Sequence, residues 1–160
     1  ALGDAARRAM RSHMSVTRIE EFNLSPPISI GREEHRQLTV LALAGIGHNP
    51  DVSDDLLHEL DRASIVPDDS VPRDIVRMGS RIQYRSGEGE RVVTLVYPAK
   101  ADIAENRISV MTPVGIALLG LRAGQSITAT TRDGRKQVLT VIGVSPPAED
   151  WDPGPGPSAA

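Results

Sequence analysis

A chain of 160 residues holds one ordinary domain, or one compact domain with a small helical appendage, and 39 % hydrophobic residues suffice for a globular core. Phe22, Tyr84, Tyr97 and Trp151 are the only aromatics, so Leu, Ile, Val and Ala must fill that core, which disfavours an aromatic-lined ligand pocket or a base-stacking platform. With 18 basic against 21 acidic residues the net charge is −3, which disfavours nucleic acid as the primary partner, and the absence of cysteine removes disulfides, thiolate metal sites and cysteine nucleophiles.

Residues 1–27 mix small residues, arginines and a Ser25-Pro26-Pro27 break without apolar periodicity, and read as a disordered tail. Ser12-His13-Met14 has the look of a cloning junction running into a start methionine; a native N-terminal extension is the alternative. Ala1–Met10 lacks the apolar centre of a secretory signal, and the longest apolar stretch, Val40–Ile46, falls short of the ~20 residues a membrane helix needs. A soluble cytoplasmic protein is expected.

Residues 28–65 read as a short antiparallel helical hairpin. Over Glu33–Ala44 the spacing puts Leu38, Leu41, Ala42 and Gly45 on one stripe, with Glu33 and Glu34 where the helix dipole favours negative charge. Gly45-Ile46-Gly47-His48-Asn49-Pro50 breaks that helix. A second helix is expected from Asp51 or Ser53, either a good N-cap, with Val52, Leu56, Leu60 and Ala63 at helical spacing. The spacing puts His58 away from this stripe, and His35, His48 and His58 all read as solvent-facing.

Two prolines and two adjacent acids make residues 66–73 a linker and a candidate domain boundary. From residue 74 to 145 the period becomes two, with strand patterns around Ile75–Arg77, Ile82–Tyr84 and Val92–Tyr97. Ser86-Gly87-Glu88-Gly89-Glu90 and Arg132-Asp133-Gly134-Arg135 are hairpin turns, the second flanked by strands at Ser126–Thr131 and Gln137–Val144. Between the hairpins, Thr112 is an N-cap, Pro113 a first helical residue and Gly120 a helix stop. Val114, Ala117, Leu118 and Leu121 of this short helix are suited to fill the concave face of a curled sheet. Residues 146–160, rich in Pro, Gly and Ala, read as a second disordered tail with Trp151 its one candidate anchor. The fold class expected is α+β: a short helical hairpin followed by an antiparallel β-sheet domain with one short helix.

The run SVMTPVGIALLGLRAGQSI, Ser109–Ile127, closely resembles the signature of the Gre-factor C-terminal domain, and TLVYPAKAD, Thr94–Asp102, resembles the regulator of nucleoside diphosphate kinase subgroup. Weaker similarity covers His58–Ala63 and Val71–Ile82, so the resemblance spans roughly residues 28–145. It implies an FKBP-like fold for the sheet domain and bacterial RNA polymerase as partner. Members of the family approach the polymerase secondary channel with a coiled-coil arm while the C-terminal domain docks at its rim. The loop Thr112, Pro113, Val114 and Gly115 is thereby implicated in polymerase binding.

In the cleavage-stimulating members, acidic residues at the arm tip help hold magnesium at the polymerase active centre, since a hard cation needs oxygen ligands. Here the tip offers His48, Asn49 and Asp51, with Asp54 and Asp55 in the next turn; the family's acidic tip motif is absent and the arms are much shorter. N-capping and the helix dipole account for the three aspartates as well as polymerase contact does. The expectation is a polymerase-binding modulator that competes with Gre-type factors without stimulating cleavage. It is not an enzyme, has no cofactor or metal of its own, and is a monomer without tight direct nucleic-acid binding. The phosphate-loop pattern is missing, so nucleoside diphosphate kinase chemistry is not expected. A direct DNA-binding module and, on the FKBP-like resemblance, a proline isomerase are the alternatives; the acidic balance opposes the first and the scarcity of aromatics opposes the second.

Overall fold

The computed structural model describes residues 24–44, 50–130, 133–148 and 151. The elements run β1 (Ser29–Gly31), α1 (Arg32–Ala44), α2 (Pro50–Arg62), β2 (Ser64–Val66), β3 (Arg81–Ser86), β4 (Gly89–Val96), β5 (Arg107–Ser109), α3 (Pro113–Leu118), β6 (Ser126–Thr130) and β7 (Lys136–Ser145). The class is α+β.

Helices α1 and α2, 13 residues each, pack on one another through the expected stripes. Leu38 and Ala42 of α1 and Leu56 and Leu60 of α2 are buried; Gly45 lies outside the described residues. The described part of α2 begins at Pro50, ahead of the expected Asp51 or Ser53. His35 departs from the solvent-facing expectation: it is half-buried, with Nε2 2.9 Å from the Leu60 carbonyl oxygen, so the start of α1 lies beside the end of α2. His58 is exposed, and His48 lies outside the described residues.

The main sheet has the order β5-β4-β3-β7-β6. Its β3–β4, β3–β7 and β6–β7 pairs are antiparallel, but β4 and β5 run parallel, which corrects the expectation of a wholly antiparallel sheet. The chain leaves β4 through tight turns at Pro98–Lys100 and Ile103–Glu105, and this crossover returns β5 in the same direction. A register shift opposite β7 between Gln83 and Tyr84 adds local twist. Helix α3 seats against the resulting curve, with Ile116, Ala117, Leu118, Leu119 and Leu121 buried; Val114 is half-buried and left at the edge. Ile75, read as strand, makes only an isolated bridge to Arg122.

The expected linker, residues 66–73, is packed. Strand β2 pairs in parallel with β1, and Asp68 turns back so that both its carboxylate oxygens accept from the Glu33 N–H at 3.1 Å. Gly31 makes room for it: a Cβ there would lie 2.6 Å from Asp68 Oδ1. The N-terminal segment is also held earlier than the expected boundary at residue 28. Thr128 N–H donates to the Leu24 carbonyl at 3.0 Å and Arg62 donates to the Pro26 carbonyl at 2.6 Å. Beyond β7, Trp151 packs on the core and fills the space beside Gly79, where a Cβ would lie 2.7 Å from the indole.

One hydrophobic cluster runs from Leu38, Leu56 and Leu60 through Ile28 and Ile30 to Leu118, Ile82 and Leu139, so the helical pair and the sheet share a core. One backbone bond joins β1 to the turn after α3, Ser29 N–H donating to the Gly120 carbonyl, and Gly120 N–H to Val76 and Val76 N–H to Leu121 fasten that turn to the segment before β3. A polar contact adds to this seam. Glu34 of α1 accepts from the Met78 N–H at 3.2 Å, with Arg77 Nε 3.9 Å from its other oxygen, and the Tyr97 hydroxyl donates to Gln37. Burial pushes the Glu34 carboxyl up to about 7; the Met78 N–H and Arg77 oppose that rise, and the Asp68 carboxylate adds to it.

Two outcomes follow for stability. Gly120 and Gly124 both have positive φ, but only at Gly120 would a Cβ meet a neighbour, Ile28 Cβ at 2.9 Å. Gly124→Ala should therefore cost about 1 kcal/mol and Gly120→Ala about 3 kcal/mol or more in urea unfolding. As pH rises from 4.5 to about 7 the unfolded chain releases the Glu34 proton while the folded chain retains it, so stability falls over that interval. Glu34→Gln should remove about 3 kcal/mol of the loss between pH 5 and pH 8, read as the difference between unfolding free energies at the two pH values.

Candidate partner-binding surface

The entry to α3 is built by three side-chain bonds. Ser109 Oγ accepts from the Met111 N–H at 2.9 Å; Thr112 Oγ1 donates to the Ser109 carbonyl at 2.7 Å and accepts from the Gly115 N–H at 3.0 Å. Thr112 thus caps the helix from an extended backbone, and Pro113 occupies the first helical position with its fixed φ. Gly115 is buried, and a Cβ there would collide with the Ser109 carbonyl oxygen and lie 2.9 Å from Val110 Cα. Of the four residues implicated by resemblance, Thr112, Pro113 and Val114 are partly exposed, whereas Gly115 is a packing residue that lets the helix approach the preceding strand.

Thr112, Pro113 and Val114 form one side of a mostly apolar cavity of about 420 Å³ that also takes in Ile103 and Ile108. Ile103 was not singled out by sequence reasoning, yet it is 80 % exposed. Its turn is fastened at both ends: Asp102 Oδ1 accepts from the Ala104 N–H, and Asn106 closes the turn in the left-handed conformation. A lone aliphatic residue between Asp102 and Glu105 was the available signal.

Asp51, Asp54 and Asp55 are exposed on α2, and His48 and Asn49 of the expected tip lie outside the described residues. Asp55 reaches a smaller groove of about 170 Å³ shared with His58 and with Pro113 of α3, so the arm and the α3 entry border a common surface. Partial burial holds the Asp55 carboxyl above its ordinary value, and the carboxylates of Asp51 and Asp54 raise it further. Among the described residues no group of three or more His, Asp or Glu is arranged to hold a metal ion, and no helix is long and apolar enough to cross a membrane.

Comparison with known proteins agrees with the resemblance. Residues 71–146 match the family described as "Transcription elongation factor, GreA/GreB, C-term". The "Regulator of nucleoside diphosphate kinase" of Escherichia coli (strain K12) is 51 % identical over 78 residues, 48 % of this chain and 57 % of that protein. The "Transcription elongation factor GreA" of Clostridium botulinum (strain Langeland) is 40 % identical over 77 residues, 47 % of this chain and 48 % of that protein. The chain therefore spans about half the length of the curated relatives it matches. A solved structure, the prokaryotic transcription elongation factor GreA/GreB from Nitrosomonas europaea, superimposes with a TM-score of 0.59 at 32 % identity, covering 76 % of this chain and 99 % of that one. By its residues 71–146 and by this shared fold, the chain belongs to the GreA/GreB transcription elongation factor family.

Proposed function

We propose that this chain binds bacterial RNA polymerase at the rim of the secondary channel and modulates elongation by occupying that entrance, without stimulating transcript cleavage. The observation that carries the reading is the family-matched Thr112–Val114 surface, partly exposed beside an apolar cavity on a rigidly bonded helix cap. A curled sheet closed over a short helix suits an FKBP-like domain that serves as a docking platform. The paired helices act as the short coiled-coil arm. At 13 residues each they extend only ~20 Å, a reach suited to the outer channel.

Transcript cleavage is the step this chain is least equipped for. Asp51, Asp54 and Asp55 are spread over the start of α2, and the Asp55 groove turns one of them towards α3. Organising a hard divalent cation needs converging oxygen ligands, so these aspartates act as surface charge, Asp51 in the first turn complementing the helix dipole. The cytoplasm is the compartment where the proposed partner resides. Competition with longer-armed Gre factors for one entrance is the proposed regulatory output.

A pull-down of the chain with bacterial core RNA polymerase, challenged by a cleavage-stimulating Gre factor, tests this directly. Binding that the competitor displaces is the expected result; no binding, or binding indifferent to the competitor, would defeat the proposal. Backtracked complexes incubated with the chain should release no more cleaved RNA than controls. Replacing Val114 with Ser should weaken polymerase binding about tenfold, the loss of one apolar anchor, while far-ultraviolet circular dichroism stays unchanged.

A further inference from the structure

Beneath Thr112–Val114 the cavity has a polar end that the docking reading does not use. Tyr84 on β3 and Arg91 on β4 are direct cross-strand partners, and both line the cavity. The Tyr84 side chain is almost wholly enclosed, the residue being 3 % exposed, and its hydroxyl, which makes no hydrogen bond among the described residues, is not sealed off from solvent. Arg91 is exposed and makes no ion pair among the described residues, in contrast to Arg85 on β3, which is bound to Glu90, and Arg107 on β5, which is bound to Asp102. Opposite these two donors stand the apolar side chains of Ile103, Ile108 and Val114.

We infer that this cavity receives a segment of the partner protein in which an apolar side chain is flanked by a carboxylate, the carboxylate accepting from Tyr84 and Arg91 and the apolar group seating against Ile103 and Val114. The donors decide the sign. A phenol hydroxyl and a guanidinium both offer hydrogens, and no carboxylate side chain lines the cavity to neutralise Arg91, so the complementary group is an anionic acceptor. The volume of about 420 Å³ accommodates a few side chains and not a whole helix, so the partner enters the cavity with a few side chains only. Ile103, mounted on its doubly fastened turn, provides a preorganised apolar wall, so little ordering is lost on docking.

The inference rests on polymerase being the partner, and the test separates the two. A dye-labelled full chain is titrated with bacterial core RNA polymerase at two salt concentrations, as wild type and as Arg91→Glu, Tyr84→Phe and Ile103→Ser. Arg91→Glu should weaken binding at least tenfold and flatten its salt dependence, Tyr84→Phe should weaken it about threefold, and Ile103→Ser about fivefold without changing the salt dependence. Unchanged circular dichroism and thermal midpoints, expected for Arg91 and Ile103 at the surface, establish that the variants fold. Wild-type binding with all three variants equal to it would overturn the carboxylate-and-anchor assignment while leaving the polymerase reading intact. No binding by the wild type would overturn both. Tighter binding by Arg91→Glu would mean that the occupant is cationic, which contradicts the inference.

Discussion

The burial of α3 against the curled sheet is the constraint on which the remaining structure depends. The apolar side chains of Ile116, Ala117, Leu118, Leu119 and Leu121 are buried in one core with Ile82, Leu95, Leu139 and Val141 of the sheet. Fully burying a leucine is worth roughly 2 kcal/mol, so three of them at 118, 119 and 121 outweigh any single polar contact in the molecule. The same burial dictates the local chemistry at both ends of the helix. Thr112 satisfies the N–H groups at the entry, and Gly120 turns the chain in a left-handed conformation that permits the backbone of Ser29 and Val76 to close on it. The partner-binding surface is then the part of this entry that the core does not cover.

The helical pair is not an independent appendage. Its hydrophobic stripe continues the sheet's core, and its seam with the sheet combines apolar packing with the buried carboxyl of Glu34. An acid placed there is held near neutrality by desolvation, and only one backbone N–H and one distant guanidinium offset the cost. Such a group weakens the seam between arm and sheet when ionised. The placement of the helical pair on the sheet is therefore set through α1.

Features governed by neighbouring residues were legible in the sequence. Thr112-Pro113 foretold the cap, Gly120 the stop, Gly87 the first hairpin, and the leucine spacing of both helices placed Leu38, Leu56 and Leu60 inward. What escaped was decided by partners distant in sequence. Three-residue strands such as β1 and β2 are too short to show a period, and their pairing links positions 35 residues apart, Ser29 to Ser64. Leu24 is held by Thr128 and leaves no local trace in a stretch that reads as tail, whereas Trp151, read as the one candidate anchor of the second tail, packs on the core beside Gly79. The acidic pair at 68–69 looked like solvated linker, although Asp68 had a helix N-terminus to bind. Of the candidate site, the Thr112 loop was visible through resemblance, but Tyr84 and Arg91 were hidden because cross-strand partners come together only once the register is known.

The parallel β1–β2 clamp holds the beginning of α1 and the end of α2 side by side against the Gly120 turn. Residues inserted in matched steps after Ala44 and before Pro50 would lengthen both helices without altering any bond in that clamp. Reach and attachment are thus separate heritable variables in this architecture. The helical pair can be shortened or extended while the base plate, with its core and its apolar cavity, stays unchanged.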